Sequence, residues 1–460
     1  MDFKFYCLLL VSLFSILLTG CSSVADRQPV YERPALHEMP KRAITSTEYE
    51  RAELPPLDKD STLADYLKYA ALNNAGLRTT FEKWKAALLQ VAQAKALPDP
   101  QFTYSYFIEE VETRVGPQEH RFAIMQKFPW LGKIEARTDA AAAAARAARK
   151  RYEAEKLKVF RQVKDAYAEY AYLARATDIA RQNLQLIEHF EQVARAKYRA
   201  AIATHPDVIR AQLELAKLQD IVESLEELNK PIAARLNAAL NRSVDAPLAA
   251  PTRLEPSRAK IGHEQIAAML KSQNPELAAL NFDIESAERK VDLAKKRFWP
   301  DVGAGISWIE TGSAFAPGVR DSGKDPVMLT FSMNLPLWHD SYAAARHQAE
   351  ALVRMQTHRR KETENSLLTR AEEVLYEYQD SGRKVGLYGN TLVPKSEELL
   401  RAAETAYQAA AVDFLSLIDA QRTLLKYQLE YEKSVRDTIQ KLAELEMLAG
   451  GELSEAKRER

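Results

Sequence analysis

From Lys133 to Ile261 the chain carries no glycine, and from Trp130 to His205 it carries no proline. These are the residues that interrupt helices, so a single helix can run from about Ile134 to Ile202. At ~1.5 Å per residue such a rod is on the order of 100 Å long, and no compact globule needs one. Apolar residues step by three and four along it, as in Phe160, Val163, Tyr167, Tyr170 and Ala174. The same spacing recurs in Val208, Ala211, Leu215, Leu218, Val222 and Leu225, and again in Leu417, Ala420, Leu424, Tyr427 and Tyr431. The expectation is a mainly α protein whose helices pack lengthwise as coiled coils. The alanine run from Ala140 to Ala148 fits either close approach of a neighbour or plain helix propensity.

At the N-terminus, Lys4 precedes an apolar run from Cys7 to Leu18 that is short for a bilayer span and ends in small residues, the pattern of a signal peptide. It closes with Leu18-Thr-Gly-Cys21, which resembles a bacterial lipobox. Residues 1–20 are then a lipoprotein signal, and Cys21 becomes the acylated first residue of the mature chain. Ser22 follows in place of the aspartate associated with inner-membrane retention, which favours the outer membrane. Only Cys7 and Cys21 exist, one removed and one acylated, so no disulfide is available. Residues 21–60 are polar and contain Pro29, Pro34, Pro40, Pro55 and Pro56, the composition of a linker between anchor and body. Formal net charge is zero, with cations dispersed among acids along helical faces, so nucleic acid is not an expected partner.

The remainder is duplicated. Asn74, Ala94, Lys95 and Pro100 recur as Asn274, Ala294, Lys295 and Pro300. Further on, Pro129 recurs as Pro336, and Tyr198, Ala201, Ile209, Ala211 and Gln212 recur as Tyr407, Ala410, Ile418, Ala420 and Gln421. The first copy is read as 61–241 and the second as 261–448, with a proline-bearing connector at 242–260 and a tail at 449–460. Each copy is expected to hold a helix, a strand, a polar loop, a second strand, a very long helix, a tight turn and a returning helix.

The strands are expected near 101–110, 119–128, 301–310 and 326–335. Phe102, Tyr104, Tyr106 and Ile108 alternate with smaller or polar residues, as do Val302, Ala304, Ile306 and Trp308, and Val327, Leu329, Phe331, Met333 and Leu335. Roughly ten residues is the length of a tilted membrane strand, and aromatics near the ends fit interfacial girdles. A soluble sheet capping the coiled coil is the alternative. As membrane strands, four cannot close a barrel, so the chain must oligomerise: two copies would supply eight strands and three would supply twelve. The width of the helical bundle favours the larger ring. The segments around Glu109 to Glu119 and Thr311 to Asp325 are expected to be polar external loops.

The duplicated plan, the proline-bounded strands and the hairpin tips YRAAIATHPDVIRAQ (Tyr198 to Gln212) and YQAAAVDFLSLIDAQ (Tyr407 to Gln421) together resemble the TolC family of outer-membrane efflux and export channels. The resemblance implies a homotrimer in the outer membrane of a Gram-negative envelope. Its twelve-stranded β-barrel would sit on an α-helical tunnel that reaches into the periplasm. It also implies partners: a periplasmic adaptor and an inner-membrane pump. By that resemblance the adaptor meets the tips at Ala201, Ile202, Ala203, Thr204, Ala410, Ala411 and Val412. The chain departs from the family pattern where Ala201 and Ala410 replace the usual glycines and where Val412 replaces an arginine found in some gates. Asp419 matches one of the paired gate aspartates of TolC, and Ser416 stands at the other. The stretch from Leu97 to Lys133 looks most similar to members that serve heavy-metal resistance-nodulation-division pumps, which implies metal ions as cargo. Multidrug efflux, type I secretion and a non-channel coiled-coil lipoprotein scaffold are the alternatives.

Catalytic signatures are not expected, and no cofactor is implied. His263 and Glu264 begin a zinc-protease pattern, but Ala267 occupies the place of its second histidine. No phosphate-cradling glycine loop or nucleophile elbow occurs, so energy comes from a partner. His205, His339 and His347 lack ligand companions at metal spacing. The acids near the tips, Asp207, Asp413 and Asp419, are candidates for lining a constriction, where a ring of carboxylates would attract cations. For Asp207 and Asp413, capping of the following helix is the alternative role.

Overall fold

The computed structural model describes residues 54, 56–58, 61–249, 254–256, 259–409 and 411–453. The signal peptide, Cys21, most of the linker, Ala410 and the last seven residues lie outside the described residues.

In the first copy, α1 (Leu63–Asn73) and α2 (Ala75–Lys95) lead into β1 (Gln101–Thr113) and β2 (Gly116–Phe128), followed by α3 (Lys133–Arg199), α4 (His205–Glu227) and α5 (Asn229–Ala239). The second copy repeats the plan with α6 (His263–Gln273), α7 (Pro275–Lys296), β3 (Val302–Thr311), β4 (Val327–Met333), α8 (His339–Leu387), α9 (Val393–Gln408) and α10 (Phe414–Ala449). Asn74 and Asn274 do the same work in both. Each accepts the amide of the residue three further on, Leu77 at 3.0 Å and Leu277 at 3.1 Å. Each also donates across the bundle, Asn74 to the Ala239 carbonyl at 2.8 Å and Asn274 to the Leu448 carbonyl at 2.9 Å. The recurring asparagine thus caps one helix and ties it to the end of another.

The long helix α3 spans 67 residues without a break. Its counterpart in the second copy, the 49-residue α8, is also very long but is followed by a break. A π-helical turn, Tyr388–Leu392, separates α8 from α9, with the Val393 amide bonded to the Tyr388 carbonyl. The cause is Pro394, which has no N–H to donate and whose ring crowds the carbonyl four residues earlier. Pro231 has the same effect on the return arm of the first copy, where α4 ends at Glu227, four residues before it. The copies therefore carry their proline breaks on opposite arms.

Three apolar clusters hold the bundle. One joins α3, α4, α9 and α10 through Ile187, Phe190, Leu218, Phe414 and Leu417. A second joins α6, α7, α8 and α10 through Leu270, Leu277, Leu375 and Leu445. A third joins α1, α3 and α5 through Tyr66, Val163, Tyr167 and Leu236. The connector follows pseudo-equivalent tyrosines: the Tyr170 hydroxyl donates to the Leu248 carbonyl at 3.4 Å and the Tyr378 hydroxyl to the Ala259 carbonyl at 3.0 Å.

Charged groups line the seam between copies. Glu444 of α10, nearly buried, accepts from Arg370 of α8 at 2.8 Å and lies 3.6 Å from Arg161 of α3. Asp165 of α3 lies 3.4 Å from Arg161, but its Oδ1 is buried without a hydrogen-bond partner. Burial pushes its carboxyl up from the usual 3.8 to about 6, with Glu444 adding repulsion while Arg161, Arg235 and Lys441 oppose the shift. Because the folded state holds this proton longer than the unfolded chain does, its contribution is present below pH ~4 and is lost as pH rises to ~6. The size is on the order of 3 kcal/mol at most. Denaturant midpoints across this range should show Asp165→Asn eliminating that fall and exceeding the unmodified protein in stability at pH 7. Parallel curves for the two proteins would assign the pH response elsewhere.

The four strands form one antiparallel sheet in the order β1-β2-β3-β4. Its register aligns apolar rows across all four: Phe102, Ile124, Ile306 and Leu329 in one, Tyr104, Phe122, Trp308 and Val327 in the next. Phe122 lies 5.3 Å from both Tyr104 and Trp308, ring centre to ring centre. The opposite face is mostly small or polar, with Thr103, Ala123, Ser307 and Met328 in one row, Gln101, Met125, Gly305 and Thr330 in another, and Gly303 beside Ser332.

Two strand expectations need correction. A polar loop between β1 and β2 is absent: the strands continue to a two-residue turn, Arg114-Val115, where the Thr113 hydroxyl donates to the Gly116 carbonyl at 2.7 Å. Gly116 has φ +135°, and a Cβ there would fall 1.8 Å from the Gly312 carbonyl oxygen, so the following loop needs a glycine to cross. The extra residues Phe107 to Glu110 are taken up by a register irregularity between Tyr106 and Val111. The other departure is β4, which stops at Met333. There the Asn334 amide still reaches the Asp301 carbonyl at 3.3 Å, but the Asp301 amide is taken by the Asn334 side chain at 2.5 Å instead of by backbone, and Pro336 removes a donor two residues on.

Candidate channel wall and hairpin tips

The sheet exposes what a soluble protein would bury. Leu329 is 70% exposed and Phe331 77%, and Phe102, Tyr104, Tyr106, Ile124 and Val327 are exposed with them. Within the described residues β1 pairs only with β2 and β4 only with β3, so both edges present unpaired backbone groups. An apolar outer face with bare edges is stable in lipid only when further strands complete the ladder. No helix among the described residues is long and apolar enough to cross a membrane.

At the far end of the bundle the helices turn back in two tips. In the first, the Ala201 amide donates to the Tyr198 carbonyl at 3.0 Å and the Ile202 amide to the Lys197 carbonyl at 2.8 Å. This is the Schellman arrangement, which places Ala201 in the left-handed region at φ +58°. That conformation explains why glycine suits the position. Ala201→Gly relieves about 1–2 kcal/mol of αL strain against roughly 0.5–1 of added chain entropy. A rise of a few tenths to ~1 kcal/mol is therefore expected in denaturant titration; a loss would contradict the strain. In the second tip the Ala411 amide donates to the Ala406 carbonyl at 2.8 Å, the equivalent six-to-one bond.

The two return helices begin with the same cap built from exchanged residues. In the first, Thr204 is the cap and Asp207 reaches back, accepting the Thr204 hydroxyl at 2.7 Å and amide at 3.1 Å. Arg210 stands 3.6 Å from its other oxygen. In the second, Asp413 is the cap and accepts both the hydroxyl and the amide of Ser416, at 2.7 and 3.0 Å. Those two bonds hold the Asp413 carboxyl below its ordinary range. Asp207 and Asp413 are thus engaged in capping. Asp419 differs: its side chain is 60% exposed, and its carboxylate contact is Arg422 at 3.5 Å.

Arg422 also donates to Glu214 of α4, a carboxylate with only 8% of its side chain exposed. Lys197 supplies a second tie between tips. Its ammonium donates to the Tyr407 carbonyl at the end of α9 and lies 4.2 Å from the Tyr407 ring centre. Burial pushes the Tyr407 phenol up, and the Asp207 charge adds to the effect. Deeper in, the fully buried Gln421 donates to Asn183 of α3 at 3.0 Å. Ala203, Thr204, Ala411 and Val412 form the turn surfaces around these ties, and Ile202 is 64% exposed. Ala410 lies outside the described residues.

Both copies match the outer membrane efflux protein family model, over residues 67–242 and 267–451. The chain belongs to the outer membrane efflux protein family. Nodulation protein T of Rhizobium leguminosarum bv. trifolii is 21% identical to this efflux protein over 450 residues, covering 95% of this chain and 96% of the relative. The fold is that of VceC from Vibrio cholerae, at TM-score 0.70 and 19% identity over 85% of this chain and 97% of that one. A membrane protein from Pseudomonas aeruginosa gives TM-score 0.73 at 19% identity, over 94% and 99% of the two chains. CusC gives 0.71 at 13% identity, over 87% and 97%. The protein is therefore an outer-membrane channel that extends into the periplasm, mainly helical and TolC-like, and not an enzyme.

The efflux protein's tips were legible as tips from the repeated tyrosine-to-glutamine segments. Their ties were not: Lys197, Glu214 and Arg422 carry no local signal, because each reaches a residue of the other copy. Gln421 did recur with Gln212, but the two are not equivalent in packing: Gln421 is buried and Gln212 is exposed. His205 packs its ring 5.4 Å from Tyr198, His339 opens α8, and His347 lies 3.3 Å from Glu350. Among the described residues no group of three His, Cys, Asp or Glu side chains converges as a metal site.

Proposed function

We propose that three copies of this chain close a twelve-stranded barrel and form the passive exit duct of a tripartite efflux assembly. The observation that carries the reading is the four-stranded sheet with one apolar exposed face and two bare edges, joined to a helical bundle that ends in paired hairpin tips. Three such sheets give a closed ladder with its polar face toward the lumen. Cys21 anchors the mature chain in the outer membrane through its acyl groups. The turn residues Ala201 to Thr204 and Ala410 to Val412 meet a periplasmic adaptor that links the duct to an inner-membrane pump. Asp419, the one acid of the three that does not cap a helix, lines the periplasmic entrance, where a ring of three carboxylates selects for cations.

The test is electrical. Purified protein should run as a trimer before heating and conduct ions in planar bilayers. Asp419→Ala should lower cation selectivity without changing assembly. An unchanged trace would remove Asp419 from the entrance, and a protein that never conducts would sink the duct itself. For the cargo the reading is heavy-metal ions, which rests on the resemblance of the Leu97 to Lys133 stretch to channels of heavy-metal pumps. A deletion strain should be sensitive to copper, silver, zinc, cobalt or cadmium; sensitivity restricted to dyes and detergents would make it a multidrug duct.

A further inference from the structure

The apolar face does not end with the strands. At the helix-proximal end β2 and β4 exit through the equivalent prolines Pro129 and Pro336, and the residues beyond them stand clear of the protein. Leu131 is 85% exposed and Trp338 76%, with Leu335 and Leu337 exposed beside Trp338. Trp299, also exposed, stacks on Trp130 with ring centres 5.3 Å apart and planes within 8°. Tryptophan immediately outside a membrane strand marks the border between hydrocarbon and water, and the exposed leucines beside it continue the apolar face.

Cations gather at the same border. The end of α2, the end of α7 and the start of α3 meet here. Arg137 donates to the carbonyls of Ala94 and Ala96, both at 2.8 Å, and Lys133 donates to the carbonyl of Trp299 at 2.8 Å. The Lys296 ammonium lies over Gly132, where a Cβ would come within 2.2 Å of it. The described residues at this border include the cations Lys95, Lys127, Lys133, Arg137, Lys296 and Arg297 and the acids Asp99, Glu135, Asp139, Asp301 and Asp340. Asp301 is already shared by Lys133 at 2.7 Å and Lys127 at 3.5 Å. Lys296 and Arg297 have no carboxylate within ion-pair distance among the described residues, and Arg297 is exposed.

From this continuity of apolar face and unmatched positive charge we infer that the periplasmic rim is a docking surface for anionic phospholipid. Lys296 and Arg297 hold the headgroup phosphate, and Leu131, Trp299 and Trp338 sit at the acyl border. The surface orients the barrel and fixes its depth from the periplasmic side. It rests on the outer-membrane placement, not on the cargo or the adaptor. Cationic side chains next to a membrane face attract anionic headgroups, and the attraction is screened by salt.

The full-length channel is reconstituted in vesicles of phosphatidylethanolamine alone or with phosphatidylglycerol, and its thermal midpoint is read in each. The unmodified channel should gain several degrees with phosphatidylglycerol, and high salt should erase the gain. Lys296→Ala with Arg297→Ala should keep the phosphatidylethanolamine midpoint and lose most of the gain. Should the double variant fold poorly, Arg297→Ala alone, at an exposed position, should lose a measurable part of it. An equal gain in variants and unmodified channel overturns the inference while leaving the barrel intact. Inorganic phosphate that reproduces the gain in phosphatidylethanolamine vesicles also overturns it, because the rim would then be a general anion site.

Discussion

Leu329→Arg is expected to prevent recovery of the assembled channel, whereas Thr330→Arg, one residue away, is expected to assemble and conduct less. Leu329 sits mid-strand in the row shared with Phe102, Ile124 and Ile306, on the exposed apolar face that meets lipid in the proposed barrel. An arginine at the bilayer midplane of a β-barrel costs about 2–4 kcal/mol, which a ring of three would incur three times, roughly 6–12 kcal/mol in all. That exceeds much of a typical protein's net stability of ~5–15 kcal/mol. Thr330 pairs with Gly305 on the opposite face, beside the lumen, where a cation is solvated. Its arginine should narrow the pore and reduce cation current. Heat-modifiability on gels reads the first effect and single-channel conductance the second. Equal tolerance of both substitutions would mean that neither face meets lipid, and the sheet would be a soluble cap.

Asp301→Ala is the second large effect, expected at about 3 kcal/mol. Asp301 stands where the sheet joins the helices and accepts from three directions: the Lys133 ammonium at 2.7 Å, the Trp130 amide at 3.0 Å and Lys127 at 3.5 Å. Its own amide donates to Asn334 at the end of β4. Removing the carboxylate leaves the Lys133 ammonium, with only 13% of its side chain exposed, facing the Trp299 carbonyl alone. The Trp130 amide loses its acceptor as well. Asp301→Asn keeps an acceptor for that amide and should recover part of the loss. Guanidinium titration followed by helix circular dichroism distinguishes the two variants; a midpoint unmoved by Asp301→Ala would show that the junction is held by the stacked Trp130 and Trp299 instead.

These two sites illustrate which information the chain carries locally. The Leu329 face was readable because a strand has a period of two, so alternation from Val327 to Met333 assigns faces before any partner strand is known. The 67-residue helix was readable as an absence of glycine and proline, and the repeat was readable by direct comparison of Asn74 with Asn274 and Tyr198 with Tyr407. The two-residue turn at Arg114 was not, because Gly116-Pro117 and the acids before it have the composition of a longer loop. Capping by Asp207 and Asp413 was foreseeable as an alternative, since each bond spans three residues.

What only the tertiary structure decided are the ties between distant segments. Asp301 meets Lys133 across 168 positions, Lys197 meets Tyr407 across 210, and Arg422 meets Glu214 across 208. Local pattern thus determined the helices, the strand faces and the duplication, because backbone sterics and periodicity act within a few residues. Which ion pairs join the copies, and how Arg422 is shared between Glu214 and Asp419 at the tip, depended on how side chains far apart in the chain converge when the apolar stripes pack.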